Sequence, residues 1–192
     1  MPEPVLFIEP HNDDVALFAA YSMLAAADAD LITCLRSYRQ ESLPVPITYQ
    51  ERELESANAA DVLGVNEWIQ WDHRDDGDLA TLAIDLQAAL IDMIDRPWAR
   101  VFAPLVEPGG HEHHNLIGDL VALIAEAAGV PLTRYATYRR GSGRTRTAVA
   151  VAVERDWPAR KYAALACYPS QINEPSCQPW FAGDDVFQEW IA

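Results

Sequence analysis

The chain has 192 residues, half of them hydrophobic and 22% charged, which is enough apolar material for one sizeable core and excludes global disorder. Fourteen basic residues against 29 acidic ones give a formal net charge of -15, a mean field that repels phosphate and excludes general nucleic-acid binding.

Val5 to Ile8, between Pro4 and Pro10, reads as a buried strand. Asp14 to Ala27 is alanine-rich and helical, with Asn12 or Asp13 as its cap. Leu31 to Leu35 is a second strand, and Ser37 to Thr48, with two prolines, a loop. Tyr49 to Leu63 is a helix that stops at Gly64. Trp68 to Trp71 is a third strand, followed by a charged loop from Asp72 to Asp78. Leu79 to Ile94 is a helix with apolar positions at Leu82, Ile84, Leu86, Leu90 and Met93/Ile94. Arg100 to Leu105 is a fourth strand, Val106 to Asn115 a loop, and Leu116 to Ala128 a helix ending at Gly129. Leu132 to Arg139 and Thr147 to Glu154 read as strands around a basic turn, Arg139 to Arg146. Trp157 to Cys167 is a helix, and Asp184 to Ile191 a further one. Alternating strands and helices predict a mostly parallel sheet covered on both faces, in one domain over residues 1–192.

Cys34, Cys167 and Cys177 form no close pair, which points to a reducing compartment and against a disulfide framework. The first residues lack a basic stretch, and the near-apolar run Val15 to Ala27 is too short to span a bilayer. The expected location is cytoplasmic, with no signal peptide and no membrane association.

In a parallel sheet, ligands gather at the carboxyl ends of the strands. The first strand runs into His11-Asn12-Asp13-Asp14, and the fourth into Gly109-Gly110-His111-Glu112-His113-His114-Asn115. Histidine mixed with carboxylate suits Zn2+, and a catalytic zinc takes about three protein ligands and keeps one position open. His11 and Asp14 are candidate ligands across a tight loop, with His114 or His113 as the third. Asp13 is then left beside the metal, where a general base for water belongs. Arg52 on its helix is a candidate substrate contact. Asp76, on the loop after the third strand, is a candidate for lining the site, ahead of His73. The basic turn reads as a solvated hairpin tip. Cys34 and Trp68, Trp71 and Trp98 read as core.

Pro10-His11-Asn12-Asp13-Asp14 before an alanine-rich helix, Gly109-Gly110-His111-x-x-His114, Arg52-x-x-Glu55 leading to Leu63-Gly64, Asp76-Gly77, and Lys161-x-x-Ala164 before Ser170-Gln171 follow one another from about residue 4 to residue 171. In this order they resemble the LmbE/PIG-L family of zinc-dependent N-deacetylases. The resemblance implies a Rossmann-like three-layer α/β sandwich. It also implies zinc on His11, Asp14 and His114, Asp13 as general base, and His111 as the group that stabilises the oxyanion or protonates the leaving amine. The implied substrate is a small N-acylated, sugar-like molecule, most often a glucosamine derivative; a homo-oligomer is left open. The sequence departs from the family where Asn12 replaces the usual proline, where Val15 replaces the usual glutamate, and in the loop Arg36 to Glu41.

Two other classes compete with a zinc amidohydrolase. A metal-dependent sugar transferase would use Asn12-Asp13-Asp14 on a nucleotide diphosphate, but the chain has no phosphate-cradling glycine motif, and its histidines are more than Mg2+ prefers. A non-catalytic carbohydrate-binding relative is opposed by the intact His11, Asp13, Asp14, His111 and His114.

Overall fold

The computed structural model describes residues 3–36, 47–137, 149–175, 177–182 and 188–192. The basic turn, most of the loop from Ser37 and the start of the expected last helix lie outside these residues. Chain order is β1 Val5–Glu9, α1 Asp14–Phe18, α2 Ala20–Ala25, β2 Ala29–Arg36, α3 Tyr49–Leu63, β3 Trp68–Arg74, α4 Leu79–Ile94, β4 Arg100–Pro104, α5 Glu112–Ala128 and β5 Leu132–Tyr135. It continues with β6 Val149–Ala150, α6 Trp157–Leu165, α7 Pro169–Ile172, α8 Gln178–Ala182 and β7 Trp190–Ile191.

Among the described residues the strands form one sheet in the order β3-β2-β1-β4-β5-β7-β6, parallel from β3 to β5, with β7 antiparallel to both its neighbours. β1 is central, with Val5 level with Ala29 on one side and Arg100 on the other. Side chains alternate across the pleat and divide the core in two. Phe7, Leu31 and Phe102 lie on the face covered by α1, α2, α3 and α6, packed with Leu17, Phe18, Leu63 and Leu165. Leu6, Ile8, Ile32, Val101 and Ala103 lie on the opposite face, under Leu82, Leu86 and Leu90 of α4 and Ile117 and Val121 of α5. This is the expected three-layer α/β arrangement.

Local signals fix the best-defined helices. Thr48 and Glu51 form a reciprocal capping box at the start of α3, and Asp78 accepts the Thr81 N–H at the start of α4.

Three departures from the sequence expectations concern the frame of the fold. The helix expected over Asp14 to Ala27 is interrupted at Ala19, where φ is -138°. A buried ion pair fills the interruption. The Tyr21 N–H donates to the Glu189 carboxylate, the Leu17 carbonyl accepts from Lys161 Nζ at 2.8 Å, and Lys161 Nζ lies 2.6 Å from Glu189 Oε1. Lys161, the only lysine in the chain, is thus fully buried and structural. The end of the expected last helix, Trp190 and Ile191, is instead strand β7. The open edge of β5 draws it in, because Arg134 and Ala192 exchange both backbone hydrogen bonds. The expected strand from Leu132 is assigned only as far as Tyr135, whose hydroxyl donates to the Ile8 carbonyl.

Candidate active site

Strand order reverses between β1 and β4: β2 and β3 lie to one side, β5 to the other. The loops leaving their carboxyl ends open at this switch point, where open α/β sheets bind ligands. One loop carries His11 to Asp14, the other His111 to His114.

The second cluster is not a loop as expected from sequence. α5 starts at Glu112, so His113 and His114 stand in its first turn. His111 is the N-cap, its Nδ1 accepting the His113 N–H at 3.3 Å. The preceding turn is tight, with the Gly110 N–H bonded to the Glu107 carbonyl at 2.8 Å; a Cβ on Gly110 would stand 3.0 Å from that same oxygen.

His11, Asp14 and His114 converge. His11 Nδ1 lies 3.3 Å from both His114 Nε2 and Asp14 Oδ2, and His114 Nε2 lies 3.1 Å from Asp14 Oδ1. The His11 backbone N–H donates to Asp14 Oδ2 at 2.8 Å. Asp14 Oδ1 is buried and makes no hydrogen bond of good geometry, so a hard acceptor oxygen is turned toward the His114 imidazole. Two imidazoles and one carboxylate at these spacings are a donor set that Zn2+ fits. Burial works against charge on Asp14, but the charge of His114 and the contact from His11 outweigh it and hold the carboxyl far below its usual range. Burial also works against a charged His11, and the hydrogen bond and charge of Asp14 outweigh it, raising that imidazole.

Asp13 occupies the N-cap position of α1 without capping it. Its Oδ2 accepts from Arg52 Nη2 at 3.0 Å, and Arg52 Nη1 donates to Glu55 Oε2 at 2.9 Å. The Ser170 N–H donates to Glu55 Oε1 at 2.8 Å and its hydroxyl to Oε2, and the Tyr168 ring lies under the guanidinium at 5.4 Å. Arg52, the expected substrate contact, is 5% exposed and holds Asp13 through the Nη2 hydrogen bond. The capping job falls to Glu9, whose carboxylate accepts the Val15 N–H at 2.8 Å and the Thr33 hydroxyl at 2.6 Å. Burial and the nearby Asp14 push the Glu9 carboxyl well up. Asn12, in place of the usual proline, is buried, with its amide on Gln70 and its carbonyl accepting the Ser56 hydroxyl at 2.7 Å.

The other expected site residues are placed as follows. His111 is exposed beside the cluster, with burial of its ring and the charges of His11, His114 and His113 lowering it to about 4. Asp76 is exposed and paired with Arg74 at 2.8 and 2.6 Å, and the charge of its neighbour Asp75 acts weakly on His11 and His113. Sequence reasoning passed over Glu9 because a glutamate in an apolar strand carries no motif, and over Asp75 because the expectation settled on Asp76-Gly77.

Residues 6–125 match the family model described as PIG-L: GlcNAc-PI de-N-acetylase. No curated protein matches the sequence. Among solved structures, the A40926 pseudoaglycone deacetylase is 18% identical, covering 99% of this chain and 96% of its own, with a TM-score of 0.76. The zinc-inhibited form of teicoplanin deacetylase is 16% identical, covering 98% of each chain, with a TM-score of 0.78. The 4-carboxy-2-hydroxymuconate hydratase from Pseudomonas putida KT2440 is also 16% identical, covering 98% of this chain and 95% of its own, with a TM-score of 0.65. At these identities the likenesses speak for the fold.

Proposed function

This chain belongs to the PIG-L family, and from that premise we propose that it is a zinc-dependent hydrolase removing an N-acetyl or related acyl group from an amino sugar or similar small amide. The observation that carries the proposal is the meeting of His11, Asp14 and His114 at the switch point, with Asp13 next to them and held by Arg52. A zinc ion on those three side chains supplies Lewis acidity and a water acidified toward neutrality. Asp13 takes the proton as water attacks the amide carbonyl, and hands it to the nitrogen that leaves. Arg52 keeps the Asp13 carboxylate in one orientation throughout. His111 is neutral at physiological pH, and its Nδ1 is occupied by the His113 N–H, so its proton sits on Nε2. An N–H at that position can donate to the oxygen that gains charge. Of the two roles implied by resemblance, neutral His111 suits oxyanion stabilisation, and Asp13 the return of the proton. Cys34, Cys167 and Cys177 form no disulfide, which fits the reducing cytoplasm, where we place the enzyme.

The test is acetate release by the zinc-reconstituted protein from a panel of N-acetylated glucosamines, free and conjugated. Metal-dependent acetate release that is absent in Asp13→Asn supports the proposal; release from no member of the panel above the Asp13→Asn background counts against it.

A further inference from the structure

His113 is 6% exposed, and its ring lies against those of His11 and His111 at centroid distances of 5.2 and 5.0 Å. The His11 ring has two different neighbours. Nδ1 faces Asp14 and His114, while Nε2 lies 3.0 Å from His113 Nδ1. A neutral imidazole has one lone pair and one N–H. If Nδ1 presents the lone pair to a metal, the proton is on Nε2, and His113 Nδ1 accepts it. His113 then carries its own proton on Nε2. His11, His111 and His113 also come within range of a single cation, but with that tautomer of His11 the 3.0 Å contact commits His113 Nδ1 as an acceptor.

Resting on the zinc-site reading above, we infer that His113 is a positioning residue that fixes the tautomer and ring orientation of His11 and, as a neutral acceptor, tunes the metal. A partner behind a ligating histidine raises the basicity of that ligand, and its loss weakens metal binding by roughly 10–100-fold. A carboxylate in this position would draw the shared proton harder and make His11 a stronger donor. The neutral His113 leaves the metal less electron-rich, trading affinity for Lewis acidity.

The test is zinc affinity, measured by chelator competition, across His113→Leu, His113→Asn and His113→Asp, with the melting temperature of each zinc-free protein read alongside. The Leu variant should bind zinc roughly 10–100-fold more weakly. The Asn variant, which restores a neutral acceptor, should stay near wild type, and the Asp variant should bind more tightly. A residue that only fills space gives the reverse order, because a buried carboxylate disrupts packing more than leucine does. Equal affinities across the series, or Asp weaker than Leu, would overturn the inference. Stoichiometric zinc lost in His113→Leu but kept in His114→Leu would make His113 a ligand and overturn it too. The underlying site reading fails separately, if Asp14→Ala retains zinc as tightly as wild type.

Discussion

Asp13 stands where a helix cap belongs, yet its carboxylate is spent on Arg52 while Glu9 caps α1 from the strand beneath. That division of labour leaves one Asp13 oxygen for chemistry. Asp13→Asn should keep fold and zinc and slow turnover by roughly 10²–10⁴-fold, the usual size of a general-base contribution; unchanged turnover would remove Asp13 from the mechanism. Arg52→Lys keeps the charge but loses the fork that spans Asp13 and Glu55. Its kcat should fall with KM near wild type, whereas a rise in KM alone would make Arg52 a substrate contact. His111→Ala should lower kcat and kcat/KM together by roughly 10²–10³-fold. Because His111 is lowered to about 4, it is neutral throughout pH 6–8, so the shape of the pH profile in that range should not change in the variant. Loss of a basic limb would show that an imidazolium does the work. The spacing of His11 and Asp14, and a third ligand in the second histidine cluster, were legible in the sequence. The choice between His113 and His114 was not, because the sequence reading put both on a loop, while in the first turn of a helix adjacent side chains diverge by about 100°. The partners of Arg52 and Asp76 were not legible for a similar reason: what a charged side chain faces is a tertiary fact.

The helix that carries His113 and His114 is seated on the end of β4 by Gly118. A Cβ there would stand 2.5 Å from the Pro104 carbonyl oxygen, a backbone atom that cannot turn aside. Gly118→Ala should therefore push the start of α5 outward, costing about 1–3 kcal/mol in stability and weakening zinc binding, as read by thermal melting and chelator competition. Melting and zinc affinity at wild-type values would show that α5 is not held this way. Helices with a continuous apolar period and end signals, α3 and α4, have the bounds read from sequence. α5 does not, because the polar His-rich stretch that reads as a loop is ordered by a histidine cap. The break between α1 and α2 has no local signal either, since its cause is Lys161 and Glu189, distant in the chain.

At the scale of the molecule, that ion pair ties α6 and the C-terminal segment to the helix bearing Asp14. Both side chains are fully buried. Lys161→Met leaves Glu189 uncompensated and should cost about 3–5 kcal/mol, seen as a lowered melting temperature; a change within experimental error would mean that water or a rearranged partner takes the place of the ammonium. The parallel half of the sheet was legible from alternating strands and helices, and the antiparallel β7 was not, because its pairing closes a contact with β5 across more than fifty residues. The central claim is that the two switch-point loops build one zinc site on His11 Nδ1, Asp14 and His114 Nε2. The most direct measurement is an anomalous difference map at the zinc edge from crystals of the zinc-loaded protein. The expected map has one full peak among those three side chains, with His113 still bonded to His11 Nε2; a peak instead on the other face of His11, among His11, His111 and His113, would contradict it.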